Sequence, residues 1–121
     1  MNAQELQQRT KKYSLQIIQF FQALPKNPEA QIMGKQLFRC ATSVAANYRA
    51  ACRARSKAEF IAKLSIVVEE ADEVLFWLEL IGESGICKVE PSLTKEGTEL
   101  LFIMSASRKS AKGREDQQIK E

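Results

Sequence analysis

The chain has 121 residues, 45% of them hydrophobic and 27% charged, with a formal charge of +3 and no histidine. That is one domain with room for an unstapled core, and the mild global charge decides nothing about partners. The missing histidine removes His-based triads, general-base histidines, Cys2His2 zinc and the Glu-x-x-His di-iron centre of ferritin-like bundles. No apolar run approaches the roughly 18 residues of a membrane span. The opening "MNAQELQQRTKKY" is polar and lacks the apolar stretch of a leader. Cys40, Cys52 and Cys87 are widely spaced without a CxxC pair, as in reduced thiols. These features predict a cytoplasmic protein without membrane association.

Helical patterns dominate the chain. The first helix is expected over about 3–24, with Leu6, Thr10, Tyr13, Ile17, Phe20/Phe21 and Leu24 on one face at three- and four-residue steps. "LPKNPEA" breaks it, and Asn27 with Pro28 supplies the N-cap and first position of the next helix. That helix is expected over 28–51, its core face reading Met33 or Gly34, Leu37, Phe38, Ala41, Val44, Ala45, Tyr48 and Ala51. So many small residues allow a neighbouring backbone to approach closely.

"SKAE" at 56–59 is a capping box, Ser56 accepting from the Glu59 N–H and Glu59 reaching back to the Ser56 N–H. It opens a third helix over 56–83, with Phe60, Leu64, Val67, Ala71, Val74, Leu78 and Ile81 inward. "GESGICKVEPS" offers Gly82 and Gly85 as left-handed caps. A fourth helix follows over 91–111, carrying Leu93, Leu100, Ile103/Met104 and Ser107. From "SRKSAKGREDQQIKE" the apolar face is lost, so 113–121 reads as a flexible tail. The expected architecture is all-α: an antiparallel up-down-up-down four-helix bundle over 1–112.

Charge divides by segment. Residues 31–58 sum to +6 and residues 59–84 to −6. Lys35, Arg39, Thr42, Ala46, Arg49 and Arg53 form a cationic stripe beside the core face, and Glu59, Lys63, Ile66, Glu70, Glu73 and Trp77 form a mixed stripe on the third helix. Three neutralisations compete: pairing within the hairpin, pairing with the acidic stripe of another subunit, or contact with phosphates. Asn47, a poor interior helix former, is expected to bond across helices, to Arg or Glu.

Little points to catalysis. No Gly-rich phosphate loop is present, and a nucleophile at Cys52 would need Arg53 as its activator. The reading is a non-enzyme with no catalytic, cofactor-binding or metal-ligating residues.

The run "GKQLFRCATSVAANYRAACRARSKAEFIAKLSIVVEEADEVLFWLELI", followed by "LT–E–ELL" and "SRK", resembles the small bacterial four helix bundle protein family. Its members are also called 23S rRNA intervening-sequence proteins. The resemblance covers roughly residues 8–112. It implies a bundle that assembles as a ring-like homopentamer, with polar family positions at Gln36, Arg39, Ser43, Asn47, Arg55, Ser56, Glu59 and Phe60. A related group acts with nucleic acid and a reverse transcriptase in diversity-generating retroelements. Cys40 stands where the family pattern has Ser and Ala45 where Gly is frequent, and "NYRAACRA" replaces an "NIAEG" turn, which marks a more basic branch.

The resulting expectation is a homo-oligomeric scaffold or adaptor whose candidate partners are copies of itself, RNA or DNA, and a partner protein. Lys35, Arg39, Arg49, Arg53, Arg55, Arg108 and Lys109 are the candidate nucleic-acid contacts. Gln36, Ser43, Asn47, Glu70, Glu73 and Trp77 are the candidate oligomer interface or polar network.

Overall fold

The computed structural model is built from four helices: α1 (Ala3–Ala23), α2 (Pro28–Cys52), α3 (Lys57–Glu83) and α4 (Pro91–Lys120). It describes the backbone of residues 1–120 and the side chains of residues 1–114, and no strand occurs among them. The backbone of α4 therefore continues beyond 111, and most of the tail expected at 113–121 lies outside the described side chains.

Side-chain caps set three of the four starts. Asn2 Oδ1 accepts from the Glu5 N–H at 2.8 Å, Asn27 Oδ1 from Ala30 at 2.9 Å, and Ser56 Oγ from Glu59 at 3.0 Å. Each occupies one of the orphan donors of a first turn. The return arm of the capping box differs from expectation. The Glu59 carboxylate accepts from the Arg55 N–H at 3.2 Å, one residue beyond Ser56. The N–H groups of Arg53 and Ala54 are already used by Ala50 and Ala51, which leaves that of Arg55 free to meet the Glu59 carboxylate. Gly85, at φ +78, makes the left-handed turn after α3.

Sequential helices pack as antiparallel neighbours, with α2 against α3 the most extensive interface and α1 against α4 the thinnest. Their relative heights are pinned by specific bonds. Ser14 Oγ lies 3.0 Å from the Ala41 carbonyl, Arg39 reaches Glu70 and Glu73, and Arg108 Nε donates to Ser65 Oγ at 2.9 Å. Tyr13 closes the thin seam by donating its hydroxyl to the Leu93 carbonyl at 2.8 Å.

The core follows the expected faces closely. Leu6, Thr10, Tyr13 and Ile17 are buried on α1, Leu24 just past its end, and Leu64, Val67, Ala71, Val74, Leu78 and Ile81 on α3. Two positions shift. Ile61 rather than Phe60 is buried at the start of α3, Phe60 packing against the core edge. On α2, Phe38 is 38% exposed and Cys40 fully buried. Phe38 lies about 100° around the helix from Leu37, which turns it out of the core to stack on Phe21 at 5.6 Å. Gly34 fulfils the close-approach expectation: a Cβ there would stand 2.5 Å from Leu24 Cδ1 and 2.8 Å from Phe21 Cδ2.

Candidate functional site

Arg39 is where the cationic stripe meets the acidic helix. Its guanidinium donates to Glu70 Oε2 at 3.1 Å and to Glu73 Oε2 at 2.6 Å, and its Nε to Gln36 at 3.3 Å. Glu73 Oε2 also accepts from the Cys40 thiol at 2.8 Å and from Trp77 Nε1 at 3.0 Å. Gln36, Arg39, Glu70, Glu73 and Trp77 thus form one network, and it joins α2 to α3 within a single chain. The other two members of the expected network stay apart. Asn47 donates to the Ser43 carbonyl at 3.0 Å and to Ser43 Oγ at 2.9 Å, one turn back along α2. The cross-helix bond expected of Asn47 is absent because Ser43 offers two nearer acceptors on the same face.

Burial, and then the bond to Glu73, push the Cys40 thiol well above its usual range, so it stays protonated and unreactive. The same bond, with that from Trp77, holds the Glu73 carboxyl below its ordinary value of 4.5. Cys40, Glu70 and Glu73 place a sulfur and two carboxylate oxygens within 4.8 Å of one another. Arg39 stands among them as the cation, so the cluster acts as an interhelical staple.

The sign of Glu73's pH dependence follows. The folded state binds this proton less tightly than the unfolded chain, so the contribution is complete above about pH 4.5 and fades as pH falls through the lower folded value. Glu73→Gln is expected to flatten the stability profile on the acid side, below the ordinary carboxyl value of 4.5, read by urea denaturation at each pH. An unchanged profile would remove Glu73 from the account.

The remaining cations behave differently. Among the described residues only Arg9 and Arg39 form ion pairs, Arg9 with Glu96 at 2.6 Å and with Glu99. Lys35, Arg49, Arg53, Arg55 and Lys109 are exposed and have no carboxylate partner there. Arg49 and Arg53 line a groove of about 550 Å³ between α1 and α2, with Lys11, Gln7, Gln8, Ser14 and Thr42. Arg108 and Lys109 line a smaller hollow with Lys112 on α4, although Arg108 is partly engaged by Ser65. A second groove of about 720 Å³, between α1 and α4, contains Arg9 and Lys12, its arginine already neutralised by Glu96.

Lys35 aside, which lies towards the far end, the antiparallel order gathers most of these cations at one end. The start of α1, the α2–α3 turn with its flanking turns and the last described part of α4 all lie there. Setting aside the Arg9–Glu96–Glu99 triad at mid-height, residues 1–12, 40–66 and 104–114 hold eleven Lys/Arg and two Glu. The opposite end, residues 13–39 and 67–103, holds five Lys/Arg and eight acids. The bundle is therefore electrically polarised along its axis. Hairpin-by-hairpin charge sums conceal this, since each helix crosses both ends; Lys11 and Lys12 add to the end without belonging to the α2 stripe.

Among the described residues, no helix is long and apolar enough to cross a membrane. Comparison with curated proteins finds no match. Among solved structures, a Bacteroides thetaiotaomicron protein of unknown function from the S23 ribosomal protein family superposes with a TM-score of 0.82. It is 30% identical to this chain, and the match covers 90% of this chain and 99% of that one. The family model of the 23S rRNA-intervening sequence proteins matches residues 2–106, which takes in α1 to α3, the Arg39 staple and most of the described part of α4. On that match, joined to the four-helix fold, the chain belongs to the 23S rRNA-intervening sequence protein family.

Proposed function

We propose that this protein is a non-catalytic adaptor that assembles with copies of itself and binds nucleic acid at its cationic end. The observation that carries the reading is the axial polarity: eleven cations face two acids there, from all four helices. Arg49, Arg53 and Arg55 are its centre, with Lys57 and Lys109 extending it. Guanidinium groups suit phosphates because their fork of donors matches two oxygens at once. Assembly would multiply the surface, so that individually weak phosphate contacts act together. Arg39 drops out of the binding set, since α3 already neutralises it. Within this reading, the family resemblance favours ribosomal RNA or the nucleic acid of a reverse transcriptase as the natural ligand.

The test is fluorescence anisotropy with labelled RNA and DNA across a salt series. Affinity should fall steeply between about 50 and 200 mM salt as phosphate contacts release counterions. Arg49→Ala/Arg53→Ala/Arg55→Ala should lose at least about tenfold at low salt, with a log–log slope smaller by roughly three contacts' worth. Equal affinity and slope for wild type and triple variant would defeat the assignment.

A further inference from the structure

We infer that the groove between α1 and α2 seats the sugar-phosphate backbone of a single-stranded nucleic acid, laid along the bundle axis and held without regard to base sequence. This rests on the nucleic-acid part of the proposed function and names the form of the ligand and the path of its backbone. Lys11 on α1, Arg49 on α2 and Arg53 at the α2 C-cap line this groove of about 550 Å³. All three are exposed and free of ion pairs among the described residues. No carboxylate and no aromatic ring lines the groove, and Ala45 and Ala46 keep its α2 wall low. Ser14 gives its hydroxyl proton to the Thr10 or Ala41 carbonyl and Thr42 gives its own to Phe38 or Arg39. The charged donors left for a ligand are therefore the three cations.

The cations are strung out rather than clustered. The Ser14–Ala41 bond fixes the register of α1 on α2. Counted from it at about 1.5 Å per residue, the Lys11 backbone lies about 4–5 Å, Arg49 about 12 Å and Arg53 about 18 Å towards the cationic end. Such a row suits a linear polyanion, which meets the charges in turn, better than one compact phosphate group. Packed helices stand about 8–10 Å apart, so the groove between their ridges is one strand wide. A duplex is a broader rod and reaches only the rim. With no ring to stack on, the bases stay outside, and contacts to phosphate carry no sequence information.

Fluorescence anisotropy at about 50 mM salt tests this, with a labelled single strand of mixed sequence, the same strand annealed to its complement, and oligo(dT). The full chain should hold the mixed strand at least about tenfold tighter than the duplex, and oligo(dT) within about twofold of the mixed strand. Ala46→Leu fills the groove without changing charge, at an exposed position. It should weaken the single strand about fivefold and leave the duplex unchanged. Lys11→Ala should lower the single-strand log–log salt slope by roughly 0.7, one phosphate contact, which covers the case of Ala46→Leu disturbing the α1–α2 packing. Inorganic tripolyphosphate should displace the strand poorly; displacement as efficient, phosphate for phosphate, as by unlabelled strand would reassign the groove to a compact anion. Duplex bound as tightly as single strand, or a single-strand affinity and slope that survive both variants, would overturn the groove while leaving nucleic-acid binding at the cationic end standing. A tenfold preference between oligo(dT) and the mixed strand would defeat the backbone readout. Binding of neither strand nor duplex would remove the nucleic-acid reading itself.

Discussion

Leu78→Ala is expected to destabilise the fold by about 3 kcal/mol, within the roughly 2–5 kcal/mol range for buried leucines. Leu78 is 1% exposed in the second half of α3, on the face that also holds Val74 and Ile81. Truncation removes its transfer free energy and leaves a cavity that packed helices close only in part. The melting temperature should fall by about 10 °C for a chain of this size. Ile32→Ala on α2 is the contrast, since Ile32 is 64% exposed and should lose less than about 0.5 kcal/mol. Urea midpoints at constant slope read both. A Leu78 effect no larger than that of Ile32 would contradict the core described above.

Gly97→Ala is expected to cost about 2 kcal/mol although alanine is the better helix former. A Cβ at this position would stand 2.6 Å from Tyr13 Oη and 3.1 Å from Leu75 Cδ2. Tyr13 is 3% exposed, and its hydroxyl is committed to the Leu93 carbonyl. Its ring must move, so the substitution combines overpacking of about 1–3 kcal/mol with loss of a buried hydrogen bond of similar worth. The helix-propensity gain of about 1 kcal/mol offsets only part. The hydroxyl is the closest obstacle, the ring carbon Cζ being 3.4 Å away. Gly97→Ala should therefore be milder in a Tyr13→Phe background than in wild type, a coupling read by the double-mutant cycle. Equal costs in both backgrounds would assign the effect to something else.

What the sequence disclosed and what it concealed divide along physical lines. The faces of α1 and α3 were legible because burial follows a 3.6-residue period, and Leu6 to Leu24 and Leu64 to Ile81 keep it without interruption. Asn27, Pro28 and Ser56 were legible because capping acts within three residues. Concealed features depend on partners far along the chain. Nothing near Arg9 announces Glu96, 87 residues away, and nothing near Gly97 announces Tyr13. Cys40 reads as a small apolar residue, and its bond to Glu73 exists only because the α2–α3 register brings them together. Of the candidate site, Glu70, Glu73 and Trp77 share one stripe by their spacing, while Arg39 was read as a nucleic-acid contact rather than as their partner, and Asn47 was assigned a reach that Ser43 made unnecessary. Lys11 was missed altogether, as it joins the cationic end from a helix judged by its apolar face alone.

The thin α1–α4 seam has a kinetic side. Extensive contacts join α1 to α2, α2 to α3 and α3 to α4, while contact between the first and last helices is sparse. Nearly every stabilising contact therefore closes a short stretch of chain, and relative contact order is low. Chains of this kind fold fast, because little loop-closure entropy is lost before contacts reward it. The α2–α3 hairpin has the most extensive of these local interfaces and suits a nucleus, with α1 and α4 adding to either side. Arg49, Arg53 and Arg55 belong to that hairpin, so the centre of the surface assigned to nucleic acid is set by the most local part of the fold, and α1 and α4 only enlarge it.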